Sequence, residues 1–317
     1  MSSNYPNGFS NGVTIRGIPL LQVHPGEVFW VNNSGVLAKG GVGGSDGNDG
    51  SYLRPFSTID YAVGRCTASR GDIIAVMPGH AESVAAASGI TLDVAGVAIV
   101  GLGAGTARPK LTFTGTAATV VVSAANVSLN NIVLESGIAD VVTGLSLTGA
   151  ADGFSMENCE SGEGAAAGTY NFVDVITLAT GADNLSWNNC TFIGNDTNND
   201  AFITGVAHDG FYIDNCRFYS NVAQATATGL VDSSGNVTNV EIKNSSFRSN
   251  IDAALWIDFN GTANGGVVKN CVVSSLDTAG ATSTGDFTGG HFFECYVSGE
   301  ADAFGLVGGG GVVYNNA

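Results

Sequence analysis

Charge is what this chain has least of. Only 12% of its 317 residues are Asp, Glu, Lys or Arg, against about a quarter in an ordinary soluble domain. The shortage falls on cations, since 11 Lys and Arg face 28 Asp and Glu and leave a formal charge of −17. No basic patch is present to neutralise a phosphate backbone, which excludes nucleic acid as a partner. Histidine is scarce as well. His24, His80, His208 and His291 stand at unrelated positions, so surface or turn roles are expected of them rather than acid–base work. Long apolar runs are missing. The most hydrophobic stretch, Gly89 to Gly105, is broken by Asp93 and by glycines, and reads as two strands rather than a membrane span. No secretory leader is expected, because Met1 to Asn11 is polar and Ile18 to Leu21 is too short. A 3.6-residue period is sustained in one short stretch alone, which argues against helical repeats. Metal-ligand spacings of the C-x-x-C kind are absent, and no cofactor or metal is expected.

What the chain has instead is a phrase that returns. In Phe211 to Phe218, apolar residues alternate up to Asn215, then come Cys216, one polar position and another apolar residue. The phrase recurs around Asn131, Asn158-Cys159, Asn189-Cys190, Asn244-Ser245, Asn270-Cys271 and Glu294-Cys295, in steps of 27, 31, 26, 29, 26 and 24 residues. Repeats of that length built from period-two strands mark a solenoid. Strand, one-residue corner, strand fits one turn of a right-handed parallel β-helix, here of about nine coils. The corner needs a sharp bend, and asparagine tolerates the left-handed conformation better than other non-glycine residues. Asn131, Asn158, Asn189, Asn215, Asn244 and Asn270 are therefore predicted to stand in one file, where stacked amides can bond as a ladder.

Five of the six cysteines, Cys159, Cys190, Cys216, Cys271 and Cys295, share the position after the corner. Stacked, they make an internal column of small apolar side chains. Parallel strands about 4.8 Å apart suit a disulfide badly, so buried, reduced thiols and a reducing site of synthesis are expected.

Residues 1–50 depart from the repeat. They read as an N-terminal arm with one strand, Val28 to Val31, and a flexible Gly-rich linker, Gly40 to Gly50. Asp46, Asn48 and Asp49 in that linker could suggest calcium, although turn chemistry explains them better. Residues 51–317 read as the β-helix. It opens on a short capping helix that begins at Ser57-Thr58-Ile59-Asp60 and ends near Cys66. Such a helix is the expected plug for the open strand edges of a solenoid end.

Three stretches carry a resemblance: GSDGNDGSYLRPFSTIDYAV (Gly44 to Val63), GDIIAVMPGHAESV (Gly71 to Val84) and GVAIVGLG (Gly96 to Gly103). They resemble the opening of pectin-lyase-like β-helix proteins, particularly those of tailed-bacteriophage virions. The resemblance implies a homotrimeric virion protein: a tailspike, a fibre or a capsid-surface component. Leu255-Trp256-Ile257-Asp258-Phe259 is similar to the W-I-D-H motif of pectate lyases, but Phe259 replaces the histidine and no R-x-P-x-x-R occurs. One constellation keeps an enzymatic reading open. Asp232, Asp258 and Asp286 each begin a D-x-x-G at a strand end in consecutive coils. Stacked carboxylates about 5 Å apart approach the spacing of retaining glycosidases and could also hold calcium. Against this, D-x-x-G is an ordinary type I turn sequence.

Two functional classes follow. One is a non-enzymatic virion structural protein, assembled in the host cytoplasm and displayed on the virion surface as a homotrimer. Its N-terminal arm would bind other virion proteins, of the capsid in preference to the tail, with a surface glycan as a further partner and neither nucleic acid nor membrane. The other is a glycan-cleaving β-helix, either a tailspike or a polysaccharidase.

Overall fold

An asparagine in the left-handed region turns each coil. Asn131, Asn158, Asn189, Asn215, Asn244 and Asn270 have φ between +51° and +58°, and Glu294 takes the next corner at +51°. The computed structural model describes residues 13–15, 18–20, 26–35, 37–163, 170–194, 201–220, 229–249, 255–262, 264–275, 286–287, 289–298 and 312–315. Strands before and after the corner form the first and second sheets, and a third sheet closes the coil. All coil-to-coil pairings are parallel, for example Phe211 to Asp214 beside Val240 to Lys243. The fold is a right-handed parallel β-helix. Its third sheet has eight strands, and the solenoid makes about seven turns, slightly fewer than expected.

The asparagine file is partly a ladder. Asn189 Nδ2 donates to Asn158 Oδ1, Asn215 to Asn189 at 3.0 Å, and Asn270 to Asn244 at 2.8 Å. It breaks twice: Asn131 Oδ1 accepts from Arg108 Nε at 2.9 Å in place of Asn158, and Asn244 Nδ2 turns to Asp214 Oδ1 at 2.8 Å. A second file of left-handed residues marks another corner: Asn126, Gly153, Asn184, Gly210 and Asn239.

Inside, identical positions stack at the rung spacing. Phe192, Phe218 and Phe247 stack with nearly parallel rings, centroids 4.9 and 4.8 Å apart. Cys159, Cys190, Cys216, Cys271 and Cys295 are buried and free. Each thiol donates to nearby backbone carbonyls, Cys216 Sγ to Trp187 O at 3.5 Å and to Asp214 O at 3.4 Å. Burial pushes the Cys159 thiol well above its ordinary value, and contact with Cys190 adds to the rise. Ser245 fills the gap with a hydroxyl that donates to Lys243 O at 2.7 Å and accepts from Cys216 N at 3.1 Å.

The N-terminal end departs from the expected arm. Val28–Val31 pairs in register with Ile73–Val76 and is the first rung of the solenoid. Gly40 to Gly50 is a packed loop rather than a flexible linker. Ser45 N donates to Pro55 O at 3.1 Å and Trp30 N to Gly50 O at 2.7 Å. A Cβ at Gly44 would collide with the Asn32 carbonyl, and one at Gly50, where φ is +75°, with the Phe56 ring. Asp46 serves turn and cap chemistry. Its Oδ1 accepts from Ser57 N and Thr58 N at 2.9 and 3.2 Å, and Thr58 in turn caps the helix Ile59–Val63. That helix stops at Gly64, before the expected end near Cys66.

Polar side chains close the exposed strand edges. Asp60 Oδ1 accepts from Thr91 N at 2.8 Å, on the first strand of the third sheet. Asn33 bonds both backbone groups of Ala81, at 2.7 and 2.8 Å, on the first strand of the second. Buried Glu82 accepts from Ile59 N at 3.0 Å and lies 3.0 Å from His80 Nε2. Strand edges satisfied in this way cannot template another chain.

Candidate functional site

The third sheet aligns Thr204, Asp232, Asp258 and Asp286 on consecutive rungs. Val231, Ser233, Ile257 and Phe259 are buried on the inner side, so alternation directs Asp232 and Asp258 outward. Their strands continue through Ser233 and Phe259. The aspartates are thus strand residues and not the first residues of turns, which corrects the type I turn expectation. The cause is the pleat: extending each strand by one residue buries Ser233 and Phe259. Asp232 Oδ2 accepts from Thr204 Oγ1 at 3.3 Å, and Asp258 is only 6% exposed. Asp286 is placed by its pairing with Asp258, and its side chain lies outside the described set. Carboxylates one rung, about 4.8 Å, apart can share a proton or divide acid and base roles. Among the described residues, no group of three or more His, Cys, Asp and Glu is arranged to hold a metal ion.

A second polar concentration was not legible as a site. Arg108 follows a short 3₁₀ turn, Gly105–Ala107, and reaches across two coils. Its Nε donates to Asn131 Oδ1 at 2.9 Å, Nη1 to Glu160 Oε2 at 2.8 Å and Nη2 to Asn158 O at 2.5 Å. Lys110 Nζ pairs with Glu135 Oε2 at 2.7 Å. Two adjoining depressions, of about 390 and 490 Å³, flank these groups. Every hydrogen-bonding arm of Arg108 ties its coil to one of the next two, so the cluster is a staple before it is a pocket. Its signal was available: in a cation-poor chain, Arg108 and Lys110 precede Glu135 and Glu160 by one and two repeats.

The histidines are more buried than expected. His80 Nδ1 accepts from Asn33 N at 3.1 Å. His208, 4% exposed, donates from Nδ1 to Ala182 O at 3.0 Å and accepts at Nε2 from Val206 N at 3.1 Å. Only the neutral ring makes both bonds, and burial lowers the pKa of His208 below its ordinary value. His80 follows a turn and His208 opens the strand His208–Asp214, which departs from the expected surface or turn role; both rings lie on the core side and satisfy backbone groups. His291 is exposed, and His24 lies outside the described residues.

No family model matches the chain, and no curated protein does. Among solved structures, a rhamnogalacturonan lyase aligns with a TM-score of 0.47 and 13% identity, covering 86% of this chain and 74% of its own. The pectate lyase Pel9A aligns at 0.49 and 14%, covering 87% and 78%. The likeness is one of fold, the parallel β-helix that the strand pairings already define.

Proposed function

We propose that the chain is a non-enzymatic structural protein of a bacteriophage particle. In this reading it is displayed on the virion surface as a homotrimer, fastened to the capsid in preference to the tail by its N-terminal segment. One observation supports this reading above others. Val13–Ile15 and Ile18–Leu20 pair antiparallel with each other and form a sheet of their own. The solenoid does not need them, because Val28–Val31 supplies its first rung and Asn33, Asp60 and Glu82 close its edges. A hairpin ahead of a finished body suits an attachment element. The test is deletion of residues 1–25, which leaves the first rung intact. The truncated protein should keep its melting temperature and oligomeric state but no longer join particles. Full occupancy on virions would overturn the assignment.

A second reading, a glycan-cleaving β-helix, is favoured by the Asp232–Asp258 column. It predicts that wild-type protein depolymerises a host surface polysaccharide and that Asp258→Asn abolishes cleavage without changing melting. Under the structural reading, neither protein yields new reducing or unsaturated ends.

A further inference from the structure

Behind the corner residue the chain places a thiol, and the thiols of adjacent coils stand over one another. Cys159 lies between Glu157 and Glu160, which pair with Asn188 and Thr191 on either side of Cys190. Asp214 and Arg217 carry the same register on to Cys216. Lys269 and Val272 pair with Phe293 and Tyr296, which sets Cys271 beside Cys295. The five side chains share one conformation. Each Sγ lies 3.4 Å from the carbonyl oxygen two residues back, and between 3.5 and 3.9 Å from a carbonyl of the preceding coil. Equivalent side chains on neighbouring rungs keep their sulfurs at the rung spacing, about 4.8 Å. None of the five is more than 2% exposed, and all are free. Ser245 interrupts the file between Cys216 and Cys271 with a hydroxyl already engaged by Lys243 O and Cys216 N. The file is therefore a run of three thiols and a run of two.

We propose that this file holds a soft cation in linear two-coordination, Cu(I) in a reducing compartment, with one ion in each run. Softness selects the metal, because a site built of sulfur alone favours Cu(I) over harder ions. Geometry selects the coordination number. Zinc needs four ligands converging on one point, which a straight file does not offer. A linear ion needs only two sulfurs facing each other across it. With a metal–thiolate bond on the order of 2.3 Å, that span is about 4.6 Å, close to the rung spacing of about 4.8 Å. The same separation is far beyond the 2.05 Å, roughly, of a disulfide. Charge closes as well. Cu⁺ displaces the proton of one thiol, while the second sulfur binds through a lone pair and keeps its own proton. One proton leaves for each ion that enters, and no net charge is buried. A second ion in the run of three would have to share Cys190, about 4.8 Å from the first, with like charges repelling in a medium of low dielectric. Entry requires an open coil, so the ion is captured as the coils stack. Once in place it ties neighbouring rungs from inside, as the Asn file ties them at the corner. The site is independent of how the chain is fastened and of any cleavage at the Asp232–Asp258 column.

The test is to synthesise the full chain under anaerobic, reducing conditions with Cu(I) supplied, so that ions enter before the coils close. Copper retained after desalting is then counted by native mass spectrometry. Two ions per chain are expected, each with two sulfur neighbours and no nitrogen in X-ray absorption, and the melting temperature should rise on loading. Variants separate the position of the thiols from their number. Cys190→Ala leaves Cys159 and Cys216 two rungs, about 9.6 Å, apart and should retain one ion. Cys159→Ala also removes one thiol but keeps Cys190 beside Cys216, and should retain two. Cys271→Ala should retain one, and Cys66→Ala, outside the file, two. Should Cys190→Ala fail to fold, Cys295→Ala makes the same test in the run of two and should retain one. Zn(II) supplied in place of Cu(I) should be lost on desalting. No retained copper, equal retention in Cys190→Ala and Cys159→Ala, or copper with three or more sulfur neighbours would overturn the proposal. Zinc retained at the same stoichiometry would overturn the linear geometry.

Discussion

Asp72 gives the sharpest handle on how the solenoid begins. Its side chain is fully buried and accepts four N–H bonds. Two come from Arg70, at 2.7 and 2.8 Å, one from Thr67 N at 2.7 Å and one from Glu27 N at 2.8 Å. It therefore joins the first rung to the strand Ile73–Val76. The Arg70 guanidinium and the two backbone donors, acting against burial, hold its carboxyl down from 3.8 to about 2. At about 1.36 kcal/mol for each pH unit, this depression contributes about 2.5 kcal/mol at neutral pH. A carboxyl depressed in the folded state gives stability that is fully present above its unfolded value, near 4, and is lost as pH falls through about 2. Asp72→Asn removes the charge and leaves Arg70 only its 3.5 Å contact with exposed Glu27. Because coils interact mainly with their neighbours, the loss should appear as local opening rather than global melting. Hydrogen exchange at pH 7 should quicken about sixty-fold in peptides spanning 26–35 and 65–77, the same 2.5 kcal/mol expressed as a rate. Peptides around Asn215 should not change. Exchange rates of wild type and variant in these peptides, corrected for the intrinsic pH dependence of exchange, should converge as pH drops from about 4 to 2. A change in exchange below about threefold, or a difference that persists under pH 2, would refute the reasoning.

The thiol column makes a second prediction. Cys216→Ser should cost about 1–3 kcal/mol by placing a hydroxyl in an apolar file. Alkylation under denaturing conditions, followed by intact mass, should label all six cysteines; fewer than six would contradict the free thiols. His208 makes a third. With its pKa lowered by burial, the folded state resists a proton that the unfolded chain accepts below about 6.5. Wild type should therefore lose stability as pH falls from 6.5, and His208→Gln should lack that part of the slope in thermal melts. Phe218→Ala makes a fourth, removing the middle ring of the stack at a cost of about 3–5 kcal/mol. A cost under about 1 kcal/mol in urea unfolding would mean that Phe192 and Phe247 collapse into the gap.

The middle of the chain was legible because its determinants repeat. Asn215 and Cys216 occupy positions where each coil needs the same thing, a left-handed residue and then a small buried one. The second corner was missed because Asn126, Gly153, Asn184, Gly210 and Asn239 alternate between two residue types that meet the same φ requirement. The N-terminal end was missed for a different reason. Its closure depends on single polar contacts across large separations: Asp72 to Glu27 over 45 residues, and Asn33 to Ala81 over 48. No period announces such pairs. Glycines that suggest flexibility, such as Gly44 and Gly50, are there because the backbone passes too close for a side chain. In the Asp column, spacing was readable but exposure was not. Whether Asp258 faces out or turns back on the backbone depends on one residue of strand length.

The two ends of the second sheet's outer face are built to opposite rules, and a solenoid permits this. Near the N-terminus Arg108, Lys110, Glu135 and Glu160 satisfy one another across coils. Such pairing cross-links the rungs and leaves little unmet charge for a ligand. Four coils later the same columns carry Arg217, Tyr219 and Arg248 with no acid among them. Coil stability comes chiefly from the buried Phe192–Phe218–Phe247 stack and the Asn file, and each coil answers to its neighbours alone. The outer positions of the C-terminal coils are therefore released from holding the fold.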